Sequence, residues 1–146
     1  MTRSYIQGKY EPKNPEKYKG SYPIIYRSSW ELKVMQEFDN NSSILVWASE
    51  SVKIPYYNPF TQKNTVYVPD FIVTYKDANG VCKTEIIEVK PLKETTMVEA
   101  KSEKSKMAVI LNNCKWQAAN QYAAQHGVGF RVMTEYNIYT NPKRKS

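Results

Sequence analysis

Two largely apolar runs lie in the middle of the chain, over residues 65–75 and 81–90. Short apolar runs of that length on either side of a turn signal predict two β-strands. Between them lies Lys76-Asp77-Ala78-Asn79-Gly80, and Asn-Gly is a strong hairpin signal. A three-residue loop, Ala78-Asn79-Gly80 with Gly80 left-handed, pairs Asp77 with Val81. Antiparallel pairing conserves the sum of paired positions, so Asp70 falls opposite Glu88, with Cβ atoms about 5 Å apart on one face. Lys90 shares that face, and the same register puts Val66, Val68, Ile72 and Ile86 beside the charges. Phe71, Val73, Ile87 and Val89 occupy the other face. A sheet that is apolar on both sides needs helices on both sides.

The flanking segments supply them. Ser28 followed by Glu31 reads as an N-cap with a capping box, and Trp30, Val34, Met35 and Phe38 form a stripe that ends at Asp39-Asn40-Asn41. A second, longer helix is expected from Met107, Ile110, Leu111, Cys114, Ala118 and Tyr122, with Gly127 as its stop. Residues 94–105 are charged and read as a lid-like loop or as that helix's solvated first turn. Short strands are expected at 44–47, around Val52-Lys53-Ile54 up to Pro55, and at 128–133, with a polar turn over 58–64. The pattern predicts a single α/β domain over 24–140, with a central sheet flanked by helices. Residues 1–23 show no helical or strand periodicity and read as an extended arm, and 141–146 as a tail.

At 146 residues the chain is long enough for one real core. No apolar stretch reaches the length of a membrane span, and the polar N-terminus does not resemble a signal peptide. Cys82 and Cys114 are widely spaced and His126 is the only histidine, which argues against a zinc cluster or a Cys–His nucleophile. The net charge of +7 resides at the ends: Arg3, Lys9, Lys13, Lys17, Lys19 and Arg27 outnumber Glu11 and Glu16, and Lys143-Arg144-Lys145 closes the chain. Basic ends suit the phosphates of DNA, although a solvated tail has the same composition. Tyr5, Tyr10, Tyr18, Tyr22 and Tyr26 interleave with the basic arm. They would dock on the domain, on a protein partner, or on nucleic acid.

Two carboxylates and an ammonium among aliphatic side chains are costly unless something compensates them. A divalent cation would, and oxygen ligands from Asp70, Glu88 and the backbone carbonyl of Val89 suit Mg²⁺ or Mn²⁺. Lys90 would stabilise charge on a phosphate or help position an attacking water. The competing reading is a Glu88–Lys90 surface pair with Asp70 beside a turn. The hairpin register favours a site.

Pro69-Asp70-Phe71 and Glu88-Val89-Lys90, placed on neighbouring strands between two helices, resemble the PD-(D/E)xK nuclease fold. With Ser28 and Glu31 ahead of them they also resemble the TnsA-type endonucleases. Residues 8–20 and 26–31 are similar to the N-terminus of the small head-completion proteins of T4-like tailed phages, described as nucleases acting on DNA at the packaged head. The resemblance implies a restriction-endonuclease-like fold with a mixed central sheet flanked by helices, in which Asp70, Glu88 and Lys90 form the catalytic core and Glu31 is a helix-borne acid joining it. The capping box explains Glu31 without catalysis, and both roles can coexist. Glu50 is a rival metal-adjacent acid, and Lys115 and Gln117 are secondary candidates on the long helix. Implied partners are double-stranded DNA and portal or head–neck proteins, with a homodimer left open. Implied locations are the host cytoplasm during assembly and the virion head or neck. Alternatives are a non-catalytic head-completion adaptor or plug on the same fold, or a repair or mobile-element nuclease. No reading helix or target-recognition domain is evident, so sequence-specific cutting is not expected.

Overall fold

The Asn79-Gly80 turn forms as expected. Gly80 adopts φ 78°, and the Asp77 N–H donates to the Val81 carbonyl at 2.9 Å. The strands it joins, β6 (Phe71–Lys76) and β7 (Cys82–Val89), pair antiparallel from Lys76↔Cys82 to Phe71↔Ile87, which is the register read from the turn. The computed structural model describes residues 6–97 and 100–139. The basic tail 141–146, Arg3 and Tyr5 lie outside them.

In chain order the elements before this pair are β1 (Gly8–Tyr10), β2 (Ile24–Tyr26), helix α1 (Ser29–Asn40), β3 (Ile44–Ser49), β4 (Ile54–Asn58) and β5 (Lys63–Tyr67). After it come helix α2 (Glu103–Gln125), β8 (Gly129–Met133) and the short helix α3 (Glu135–Tyr139), the last unexpected from the sequence. The central sheet runs β3-β6-β7-β8, antiparallel except for the parallel β7–β8 edge. This is the mixed sheet of a restriction-endonuclease-like α/β fold. Trp30, Val34, Met35 and Phe38 of α1 close one face over Trp47, Phe71, Val73, Ile87 and Val89. On the other side Ala119 of α2 packs with Ile54 and Tyr67. Among the described residues, no helix is long and apolar enough to cross a membrane.

Three expectations change. Residues 65–75 are not one strand: the chain breaks at Val68-Pro69-Asp70, and β5 turns away to pair with β4 in a separate hairpin. Proline has no N–H for a central ladder, so the strand cannot continue through Pro69. Val66 and Val68 are therefore exposed rather than beside the carboxylates. Second, the inner face of α2 is rotated from the expected stripe. Val109, Asn112, Ala119 and Ala123 are buried while Met107 and Ile110 are exposed; of the expected stripe, Ala118 and Tyr122 pack with Trp116 against Ile54 and Tyr67, where the helix meets β4 and β8.

Third, the arm is not simply extended. β1 and β2 pair antiparallel, a 3-10 turn forms at Pro15–Lys17, and Tyr18 and Ile24 are buried in the main core. Tyr18 and Tyr10 set their rings edge-on to Trp47. What fastens the segment is Asp39, a residue read from sequence as a helix terminator. Its fully buried carboxylate accepts from the Tyr10 hydroxyl at 2.6 Å and from the N–H groups of Lys13 and Asn14 at 2.7 and 2.9 Å. Lys17 Nζ caps the end of α1, donating to the carbonyls of Asp39 and Asn41.

Burial opposes ionisation of Asp39, but the three donors outweigh it and hold the carboxyl below its usual range. A depressed folded-state pKa means stability that is present above the unfolded value, near pH 4, and lost as pH falls through the folded one. Asp39→Ala should cost about 3 kcal/mol, since it leaves Tyr10 and two backbone donors unpaired. Urea unfolding at pH 7 measures this, and the gap between parent and variant should shrink steadily below pH 4.

Candidate active site

The site forms where β6 and β7 run out of backbone pairing. Asp70 stands one residue before β6 and is held from both neighbouring strands. Its carbonyl accepts from the Glu50 N–H at the end of β3, 2.9 Å away. Its Oδ2 accepts from the Val89 N–H of β7 at 2.8 Å. Amides alternate sides along a strand. The Lys90 N–H goes to Met133 of β8, so the Val89 carbonyl turns with its own N–H toward Asp70.

Glu88 is 7% exposed. The Tyr67 hydroxyl donates to its Oε1 at 2.7 Å, and Lys90 Nζ lies 3.8 Å from its Oε2. Lys115 reaches in from α2, half-buried, with Nζ 5.7 Å from the centroid of the Tyr67 ring. The Trp116 indole approaches the Tyr67 hydroxyl from the same helix without making a full hydrogen bond.

The electrostatics follow from burial and crowding. Burial pushes the Asp70 carboxyl well up, and the charges of Glu88 and Glu31 push it further against the Val89 N–H and Lys90. Burial also raises Glu88, opposed by Tyr67, Lys90 and Lys115. Lys115 is lowered by burial and by Lys90, with Glu88 pulling the other way. Tyr67 is pushed far up by burial and by Glu88, so its proton stays on the phenol oxygen and its role is to donate. Buried acids held above their normal pKa and clustered with lysines in one corner are a common mark of a functional site.

Glu31 stands on the first turn of α1, where its N–H bonds to Ser28 Oγ at 3.2 Å. Its Oε1 accepts from the Arg27 N–H at 3.1 Å, one residue earlier than a standard capping box. Burial raises its carboxyl, with Glu50 adding to the effect. It is thus both cap and contributor to the acidic corner. Glu50 sits at φ 51°, and its carboxylate takes a two-pronged bond from Arg27 at 2.9 and 3.1 Å. Glu50 is therefore neutralised on its side chain while its backbone positions Asp70.

Asp70, Glu88, Lys90 and the Val89 carbonyl thus come together, with Lys115 beside them and Glu31 at the edge. Gln117 does not join them: two residues from Lys115 is about 200° around a helix, and its side chain is exposed. Of the basic residues expected to contact DNA, Lys9, Lys13 and Lys19 are exposed, whereas Lys17 and Arg27 are engaged within the fold. Sequence reasoning missed Tyr67. In one continuous strand it would share the face of Phe71, away from Glu88. The available signal was Pro69, which breaks that strand.

Among the described residues, no three His, Cys, Asp or Glu side chains form a ready-made cation cage. The donor set suits a cation completed by substrate. Mg²⁺ is commonly held by one or two carboxylates together with phosphate oxygens and water. Asp70 Oδ1 and Glu88 Oε2 are the carboxylate oxygens not used in the bonds to Val89 and Tyr67, Oε2 facing the Lys90 ammonium at 3.8 Å, and the Val89 carbonyl is the neutral third.

Two comparisons bear on this arrangement. The family described as "TnsA-like endonuclease N terminal" matches residues 41–135, a span holding Asp70, Glu88, Lys90 and Lys115 but not Glu31. The head completion nuclease of Enterobacteria phage T4 is 36% identical over 139 residues, covering 88% of this chain and 90% of that protein. With a restriction-endonuclease-like sheet carrying its acids and lysine at the same corner, the chain belongs to the TnsA-like endonuclease family.

Proposed function

We propose that this protein is a Mg²⁺- or Mn²⁺-dependent endonuclease that hydrolyses phosphodiester bonds in double-stranded DNA during phage head completion. The observation that carries this reading is the meeting of Asp70 and Glu88 at one end of the β6–β7 pair, both raised in pKa and flanked by Lys90 and Lys115. Likeness to the T4 head completion nuclease over most of both chains supports the biological setting, where portal or neck proteins are the natural partners.

Asp70 Oδ1, Glu88 Oε2 and the Val89 carbonyl would hold the cation. Bound there, a divalent cation supplies Lewis acidity toward a non-bridging phosphate oxygen and lowers the pKa of an attacking water. Lys90, about a quarter exposed, stands at the rim beside Glu88. Its ammonium is placed to balance charge that builds on the phosphate as water adds. Lys115 contributes a second positive charge from the α2 side. Tyr67 holds Glu88 in one rotamer and, by donating to Oε1, favours its ionised form. Arg27 and Glu50 fix the N-terminal edge, with the Glu50 N–H anchoring Asp70.

Asp70 at its raised folded-state pKa binds a proton more tightly than in the unfolded chain. Stability is therefore lost as pH rises from the unfolded value, near 4, toward the folded one. At pH 8 without divalent cation, Asp70→Asn should raise Tm by about 3 °C, because the amide keeps the Val89 bond and removes the charge. The difference should vanish near pH 4. Added Mn²⁺ should raise the parent's Tm and leave that of Asp70→Asn in place. A cation response preserved in Asp70→Asn would remove this residue from the metal site.

Cleavage itself is tested with linear and circular DNA, with and without Mg²⁺. Lys90→Ala should fold normally and cut about 10²–10³-fold more slowly, and Asp70→Ala should not cut measurably. Cleavage by Lys90→Ala at the parental rate would take the lysine out of the chemistry. Cleavage by Asp70→Ala would sink the nuclease assignment at this corner.

A further inference from the structure

The β4–β5 hairpin has an inner and an outer face of different character. Ile54 and Tyr67, paired across the ribbon, are buried against Ala119 of α2. The outer face is built from the Pro55↔Val66 pair with Tyr57 along the same strand and Val68 at the base. Val66 is 52% exposed, Tyr57 53%, Val68 40%, and Phe60 at the turn 42%. Single exposed apolar residues are ordinary, but several on one short ribbon are not. Across residues 51–69 there is no acidic side chain, while Lys53 and Lys63 are basic and exposed.

The tip is pre-shaped. Asn58 Oδ1 accepts from the N–H groups of Phe60 and Thr61 at 2.8 and 3.2 Å. The Gln62 N–H donates to the Asn58 carbonyl at 2.8 Å, with Gln62 left-handed at φ 57°. The base is fixed as well: Tyr67 bonds Glu88, and Pro69-Asp70 follows directly. A five-residue strand spans about 17 Å, so the ribbon reaches about five base pairs from the scissile position, at ~3.4 Å each.

We propose, building on the nuclease reading above, that the β4–β5 hairpin is a duplex-binding ribbon. Its outer face and tip lie in a groove of double-stranded DNA next to the phosphodiester held at Asp70 and Glu88. A two-stranded β-ribbon fits the ~12 Å major groove. Lys53 and Lys63 meet the flanking phosphates, and Tyr57, Phe60 and Val66 contact sugar and base edges without demanding a sequence. Two features select DNA over a protein partner. One is the absence of acid along the ribbon, and the other is its continuity with a site for a phosphodiester.

The test uses the full chain carrying Lys90→Ala, so that DNA is not consumed, and a labelled 30-base-pair duplex titrated at several salt concentrations. Adding Tyr57→Ala and Phe60→Ala should weaken binding about 10-fold with little change in salt dependence. Adding Lys53→Ala and Lys63→Ala should instead flatten the log–log salt slope by about 2. Both pairs lie on the surface, and an unchanged Mn²⁺-induced rise in Tm confirms an intact fold and site. Unchanged affinity and slope in both would overturn the ribbon. So would loss of self-association in sedimentation with DNA binding intact, which would assign the face to a second copy. Failure of the nuclease reading shows separately, as absence of cutting by the unmodified chain with any divalent cation, and the binding series still decides the ribbon.

Discussion

The hydrogen bond from the Val89 N–H to the Asp70 carboxylate closes the gap where two strands part. Backbone pairing between β6 and β7 ends at Phe71↔Ile87, and the next donor finds a side-chain oxygen instead of a carbonyl. A buried N–H left without a partner costs about 1–3 kcal/mol, so the strand end and the carboxylate hold each other in place. The consequence is geometric. One acid is turned toward β7, the Val89 carbonyl is turned back toward it, and Glu88 stands across the sheet on the same side. Glu50 completes the clamp from β3 by binding the Asp70 carbonyl. The corner is thus fixed by the sheet itself, and precision at that level is what a reacting phosphate needs.

Asp39 and Asp70 show how the same side chain takes opposite parts. Asp39 receives three donors, one phenol and two amides, and no like charge is prominent around it, so it stays ionised more readily than a free carboxyl. Asp70 is taken out of water, receives one amide and faces Glu88 and Glu31, so it resists ionisation. The first arrangement spends its charge on holding the N-terminal segment to the end of α1. The second keeps a carboxyl buried beside two other acids, an arrangement that costs stability once it ionises. Burial opposes ionisation in both cases; the count of donors and of neighbouring charges decides the outcome.

Much of this was legible in the amino-acid sequence because it is set by local rules. Asn79-Gly80 dictates the turn, the turn dictates the register, and the register brings Asp70 to Glu88. Ser28 and Glu31 announce the start of α1, and Trp30, Val34, Met35 and Phe38 announce its inner face. What was not legible depends on contacts distant in sequence. The docking of β1 and β2 rests on Asp39 meeting Tyr10, Lys13 and Asn14, some 25 to 29 residues away, and no periodicity encodes that meeting. The inner face of α2 was read only in part: Ala118 and Tyr122 face the core as expected, while Met107 and Ile110, nearer the start of the helix, are exposed. Hydrophobicity alone does not reveal which side of a helix the sheet approaches.

Pro69 joins these threads. Without an N–H it ends the long apolar run, which releases β5 to pair with β4 and lifts that hairpin off the sheet. The break also changes which face the preceding residue serves. Tyr67 would have pointed into the α1 core in a continuous strand; past the break it lies on the α2 side, where its hydroxyl meets Glu88 and its ring lies under Lys115. Val66, its neighbour, turns outward for the same reason. One imino acid next to the first metal-binding candidate thus separates the sheet that positions the acids from a two-stranded ribbon packed on α2. It also supplies the phenol that orients the second acid, so the Pro-Asp pair is as much an architectural junction as a chemical motif.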